Sequence, residues 1–140
     1  MSWLNEVFAV LSRQVDPDEL TAGISPPFQA AKSGNTDAVK RLLERGARVD
    51  LPVAKGETAI FAAARHCQLR TVELLLANGS NASLESSVRF VPGCNATPLV
   101  SLLMEYDQKS EHCGKDEVLE VAKLLKGKGA SLVTAQCDYR

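Results

Sequence analysis

The sequence has almost no net charge: 16 Lys and Arg stand against 17 Asp and Glu, leaving −1 over 140 residues. That balance gives no electrostatic support for nucleic acid or an anionic membrane as a partner. Aromatic residues are scarce too, at 5% of a composition that is 45% apolar. Strands rich in large rings are disfavoured, and close packing through small side chains is favoured. No apolar run is long enough to span a bilayer. The first residues lack the basic start, apolar run and small-residue cleavage site of a secretory signal. The four cysteines (Cys67, Cys94, Cys113 and Cys137) form no Cys-x-x-Cys. Without a leader they are expected to be reduced thiols of a cytoplasmic protein. The sequons beginning at Asn78, Asn81 and Asn95 are then expected to stay unmodified.

What is present is a tandem match. One constant shift of the sequence lays Phe28 on Phe61, Ala30-Ala31 on Ala63-Ala64, Val39 on Val72, Leu42-Leu43 on Leu75-Leu76 and Gly46 on Gly79. Solenoids repeat with periods of roughly 20–50 residues, and this offset falls among them. The units of a solenoid cannot bury their apolar faces alone. The stretch SPPFQAAKSGNTDAVKRLLERGARVD, echoed by TAIFAAARHCQLRTVELLLANGSNAS, resembles the ankyrin repeat. The resemblance implies an all-α fold of stacked helix-turn-helix units and a role in binding another protein, without catalysis or cofactor.

Residues 2–14 read as an amphipathic helix with Ser2 as N-cap and Trp3, Leu4, Val7, Phe8 and Leu11 on one face. With Arg13 its only basic residue, it suits a solenoid cap better than a membrane-surface helix. Asp16-Pro17-Asp18-Glu19 predicts a second helix, with Asp16 as N-cap and Gly23 as its end. The expected organisation is therefore capping helices over 1–24 and three repeats over 25–57, 58–96 and 97–140, in one continuous domain. The second repeat has Ala59 for Pro and Phe61 for His, which removes a polar network that the family uses to tie neighbouring loops. Cys67 stands where the first repeat has Gly34. If the backbone there is left-handed, Cys67→Gly should stabilise the protein.

The third repeat is stretched. The step from Thr58 to Thr97 exceeds that from Ser25 to Thr58, and the excess enlarges the finger over 83–96. The span from Thr97 to Gly129 also exceeds that from Thr58 to Gly79, which predicts a long inter-helix loop near 107–117.

No enzyme constellation emerges. Gly127-Lys128-Gly129-Ala130-Ser131 follows a helix instead of a strand and lacks the spacing of a phosphate loop. His66-Cys67 and His112-Cys113 lie far apart in the chain, without the tight ligand spacing of a structural zinc site. In an ankyrin stack, however, their two loops share an edge. No third group can be named to orient an imidazole for a Cys-His nucleophile.

The resemblance implies a concave face formed by the fingers and the first-helix positions after the small pair. In this sequence that face receives Lys32, Ser33, Arg65, His66, Met104 and Glu105, with Ala54, Lys55 and Glu57 from the first finger. Arg89, Phe90 and Val91 lie on the enlarged finger as a candidate anchor. The function so implied is protein recognition by a monomer, with no nucleic acid, membrane or small-molecule substrate. Its narrower form is a small stand-alone inhibitor of the antitoxin or immunity kind, since a short solenoid acts by binding. The alternatives are a scaffold or adaptor and, from a different class, a metal-binding or enzymatic protein. If the enlarged finger grips the partner, Phe90→Ala should weaken binding by about 2 kcal/mol or more with little change in melting temperature. Calorimetric titration and thermal melting of that one variant check both, and a loss of stability alone would remove the anchor.

Overall fold

The computed structural model describes residues 17–20, 22–87, 94–108 and 113–132. Among the described residues six α-helices follow one another: α1 (Pro26–Lys32), α2 (Thr36–Glu44), α3 (Ala59–Arg65), α4 (Leu69–Ala77), α5 (Pro98–Gln108) and α6 (Lys115–Gly127). They form three antiparallel pairs. The inner helices pack in the line α1–α3–α5, and the outer helices in the line α2–α4–α6. The described residues contain no strand, only bridge-type pairing such as that of Ser86 with Ala96. This is the all-α stacked-pair architecture that the repeat implies.

Small residues allow the inner helices to approach. Ala30, Ala31, Ala63 and Ala64 are all 0% exposed, as are Val39, Leu42, Val72 and Leu75 of the outer helices. Leu102 fills the place of the first alanine of the pair in α5 and is also fully buried. Leu103 takes the second place and is 39% exposed. In α1 and α3 that second place is covered by the next inner helix, and no such helix follows among the described residues.

The outer helices all end in the same left-handed turn. Gly46, Gly79 and Gly129 close α2, α4 and α6 at φ 91°, 84° and 91°. In each case the following N–H reaches back over the turn in the Schellman pattern: Ala47 to Leu42 at 3.1 Å, Ser80 to Leu75 and Ala130 to Leu125 both at 3.0 Å. Inner helices α1 and α3 end likewise, Asn35 N–H donating to Ala30 at 2.9 Å and Gln68 N–H to Ala63 at 2.8 Å. The left-handed residue of the first of these turns is Gly34 at φ 73°, and of the second Cys67 at φ 54°. The left-handed backbone expected at Cys67 is therefore present.

Two expectations are corrected. The helix starting at Asp16 is absent over residues 17–20 and 22–24, which form turns. Ala22 and Gly23 are left-handed at φ 53° and 77°, as Lys55 and Gly56 are one repeat later at 63° and 73°. The segment is thus a finger like that of 50–57, and Asp18 of the acidic start that suggests a helix accepts instead from Arg48. The helix over 2–14 and the finger tip with Arg89, Phe90 and Val91 lie outside the described residues. The second correction concerns the extra length between Thr97 and Gly129, most of which is not loop. Helix α5 has 11 residues against 7 in α3, and α6 has 13 against 9 in α4. Both extensions lie at the end that faces the inter-helix turn, so the third pair stands about one turn taller there.

The substitutions that open the second repeat leave a trace. Ser25 caps α1 by accepting the Phe28 N–H at 3.2 Å. Thr97 Oγ1 accepts from Val100 N–H at 3.2 Å and donates to the Ser131 carbonyl at 3.0 Å. Thr58, in the same position before α3, is buried, yet its hydroxyl has no partner. A buried unsatisfied hydroxyl is costly, whereas a methyl in its place is not. Thr58→Val should therefore leave the urea midpoint unchanged or raise it, while Thr97→Val should lose about 1 kcal/mol or more. Equal losses in the two variants would show that Thr58 is satisfied in solution.

Candidate protein-binding face

The stacking places Lys32 and Arg65 at the last positions of α1 and α3 and Met104 at the equivalent position of α5, one turn before its end, in a row across the inner helices. Lys32 is exposed and Met104 half-buried. Ser33 and His66 cap α1 and α3 from the next position, both exposed. The Ser33 hydroxyl is turned back, donating to the Ala30 carbonyl at 3.0 Å. Glu105 lies on α5, but its side chain is outside the described set.

The finger residues lie beside this row. Ala54 and Lys55 sit in a single 3-10 turn, both exposed. That finger closes on itself through Val53 N–H to the Glu57 carbonyl at 2.8 Å. Glu57 pairs with Arg65 across 3.8 Å. This contact joins finger to inner helix and neutralises Arg65 locally, so Lys32 and Lys55 supply the exposed positive charge of this row. Lys55 at φ 63° holds the finger in a conformation that a non-glycine residue adopts at some cost. Its carbonyl accepts from Ser87 N–H at 2.7 Å and Ser87 Oγ at 3.1 Å, which fastens the base of the next finger to it.

A chain of contacts that sequence reasoning misses runs along the exit turns. Asp50 accepts from Ser80 Oγ at 2.6 Å and Asn81 N–H at 2.9 Å, binding the end of the first helix pair to that of the second. Asp18 does the same one unit earlier, accepting from Arg48 N–H at 2.8 Å and Arg48 Nε at 3.4 Å. Ser83 continues the ladder with its hydroxyl on the Gly129 carbonyl at 2.9 Å. The signal in the sequence is the offset itself: Arg48 and Asn81 are one repeat apart, as are Asp50 and Ser83.

The cysteines do not match their expectation. Cys67 and Cys113 are joined in a disulfide, with Cα atoms 6.0 Å apart at a sequence separation of 46. Cys94 is also disulfide-bonded, and no cysteine among the described residues is free. The expectation of reduced thiols rests on compartment, whereas pairing is set by geometry: the turn after α3 and the turn before α6 share one edge of the stack. The gain expected from Cys67→Gly is withdrawn for the same reason, since glycine would remove the cross-link along with the strained Cβ. Cys67 and Cys113 are thus brought to one edge, where their sulfurs are spent on each other. Among the described residues no group of three or more His, Cys, Asp or Glu is placed to hold a metal ion. No helix among them is long and apolar enough to cross a membrane.

Comparison with known proteins agrees with this geometry. The family described as ankyrin repeats (3 copies) matches residues 4–86. The chain is also similar to the B-cell lymphoma 3 protein homolog of Mus musculus, 30% identical over 122 residues that cover 77% of this chain and 27% of the relative. The chain thus spans about a quarter of the length of that relative. It belongs to the ankyrin-repeat family, a fold generally used for non-catalytic protein interaction.

The Asp50 contacts make a direct test possible. A carboxylate accepting two hydrogen bonds, one of them from backbone, contributes about 1.5–3 kcal/mol. Asp50→Ala should lower the thermal midpoint accordingly and speed amide exchange at Asn81. An unchanged midpoint would mean that solvent replaces both bonds.

Proposed function

We propose that this chain is a protein-binding module that acts without chemistry of its own, with its partner seated on the row formed by Lys32, Ser33, Arg65, His66, Met104 and Glu105 and on the finger residues Ala54, Lys55 and Glu57. In this proposal the partner also meets Arg89, Phe90 and Val91 of the enlarged finger. One observation carries the reading: side chains at equivalent positions of successive inner helices line up beside fingers held rigid by Lys55–Ser87 and Glu57–Arg65 contacts. A preorganised face of this kind loses little entropy when a partner docks. The free protein is a monomer in this proposal. Residues before Pro17 cover the first unit in it, and the helix pairs from Pro26 onward are three repeats.

The narrower proposal is an inhibitor of the immunity kind that covers a partner enzyme. It differs from a scaffold in stoichiometry and consequence. An inhibitor forms a one-to-one complex and lowers its partner's activity, whereas a scaffold leaves activity intact and holds two proteins together.

The test begins with proteins captured from the source lysate by the wild-type chain. Lys32 and Lys55 are exposed and make no side-chain ion pair among the described residues, so Lys32→Glu with Lys55→Glu should preserve melting. Reversing two charges at an interface should weaken a specific complex by about tenfold or more and lower its association rate. Capture that survives the double reversal at full affinity would move the binding surface elsewhere.

A further inference from the structure

We infer that Cys67 and Cys113 form a thiol–disulfide modification site that locks the third helix pair onto the second, and that its substrates are low-molecular-weight disulfides and thiols. This site is independent of the partner-binding face above. The stack is asymmetric. The pair α1–α2 and the pair α5–α6 each contact one described neighbour, but the last has the longer connection, with residues 109–114 standing where the second pair has 66–68. In a solenoid each unit is held mainly by its nearest neighbour, so a unit with one described neighbour and a longer connection opens first.

The disulfide acts at that weak point. Cys67 is the left-handed residue between α3 and α4, and Cys113 directly precedes Gly114, the N-cap of α6. The bond therefore ties the top of the second pair to the start of the last helix. The conformation of Cys67 supports this assignment. Its counterpart in the first repeat is Gly34, the residue suited to a positive φ. A side chain there is strained, and it is also the only way to present a Cβ and sulfur toward the neighbouring turn. Both cysteines are half-buried, so a small reagent can reach them.

The exchange balances without any further reagent. A thiolate of one protein cysteine attacks a low-molecular-weight disulfide, forming a mixed disulfide and releasing one small thiolate. The second protein thiolate attacks the protein sulfur of that mixed disulfide. The Cys67–Cys113 bond forms and the second small thiolate leaves. Two protons pass from the protein thiols to the two released thiolates, and the protein gives up two electrons to the disulfide. Excess small thiol runs the same steps backward.

Closed, the bond holds α5 against α3 and keeps Met104 in line with Arg65. Open, the third pair is held by side-chain packing through Leu102, Val121 and Leu125 and by the Ser83–Gly129 hydrogen bond. Amide hydrogen exchange on the full chain reads this directly. In dithiothreitol, protection over 98–127 should fall at least tenfold while that over 26–77 holds, and glutathione disulfide should restore it. Because reductant also opens the disulfide of Cys94, the variant Cys67→Ser with Cys113→Ser is measured without reductant. It should reproduce the reduced pattern and melt roughly 10 °C lower. If it does not fold, the wild-type exchange under reduction and reoxidation, with peptide mapping of the Cys67–Cys113 linkage, decides alone. Equal loss of protection in both regions, no loss in either, or Cys67 and Cys113 recovered as free thiols after glutathione disulfide would overturn the lock.

Discussion

The structure depends on one backbone constraint: the outer helices and the inner helices α1 and α3 must each end at a residue with positive φ, and the carbonyls left open at the helix end must be met there. Gly34, Gly46, Gly79 and Gly129 satisfy it at little steric cost. The same turn fixes where the next helix starts, so the inner and outer layers keep their register from one unit to the next. Hydrophobic burial supplies the driving force, but it is the turn that converts burial into a stack. A β-branched or bulky residue at any of these positions would oppose the turn by roughly 1–2 kcal/mol, a sizeable share of the stability of a small domain.

Among the described helix-end turns, the one met by a residue other than glycine is at Cys67, and there a covalent bond occupies the edge. Two local preferences conflict at this site, the steric preference for glycine and the need for a sulfur facing Cys113. Such conflicts mark positions where a sequence serves something besides folding. Lys55 is the other described case deep within the repeats. Its carbonyl, presented by the left-handed backbone, is the acceptor for Ser87. Both exceptions lie where one unit must grip the next, at opposite ends of the helix pair: Cys67 in the inter-helix turn and Lys55 in the finger.

Much of this was legible in the sequence because the repeat is written in residue types with unambiguous consequences. Paired alanines, paired leucines and terminal glycines at a constant offset dictate helix, layer and turn together. Legibility failed where one residue type serves two purposes. Asp16-Pro17-Asp18 has the chemistry of a helix start, yet Asp18 is bound to Arg48 of the following unit, and only the one-repeat spacing of Gly23 and Gly56 points to a finger. Length alone also misled. Extra residues between Thr97 and Gly129 can be loop or helix, and Glu105 to Gln108 and Lys115 to Val118 continue the helices they adjoin. The cysteine pairing was hidden for a different reason. A sequence separation of 46 carries no geometric information until the stack places two turns side by side.

The candidate face is legible to a different degree from the fold. Its residues follow from register, because the inner helices are in line and the same position recurs. Its chemistry does not, because the contacts that shape it are non-local. Glu57 meeting Arg65 turns a cationic position into a neutral bridge, and the Ser33 hydroxyl is spent on its own helix. What remains available to a partner is less charged and more rigid than the residue types suggest. Lys32 and Lys55 stand out from it on neighbouring supports, one on a helix end and one on a finger. Their separation is set by the packing of α1 against α3, and that packing is governed by Ala30, Ala31, Ala63 and Ala64. A methyl-sized change in those four buried residues would therefore move the two lysine charges without touching them. Selectivity for a partner, on this account, is stored as much in the smallest side chains of the core as in the largest ones on the surface.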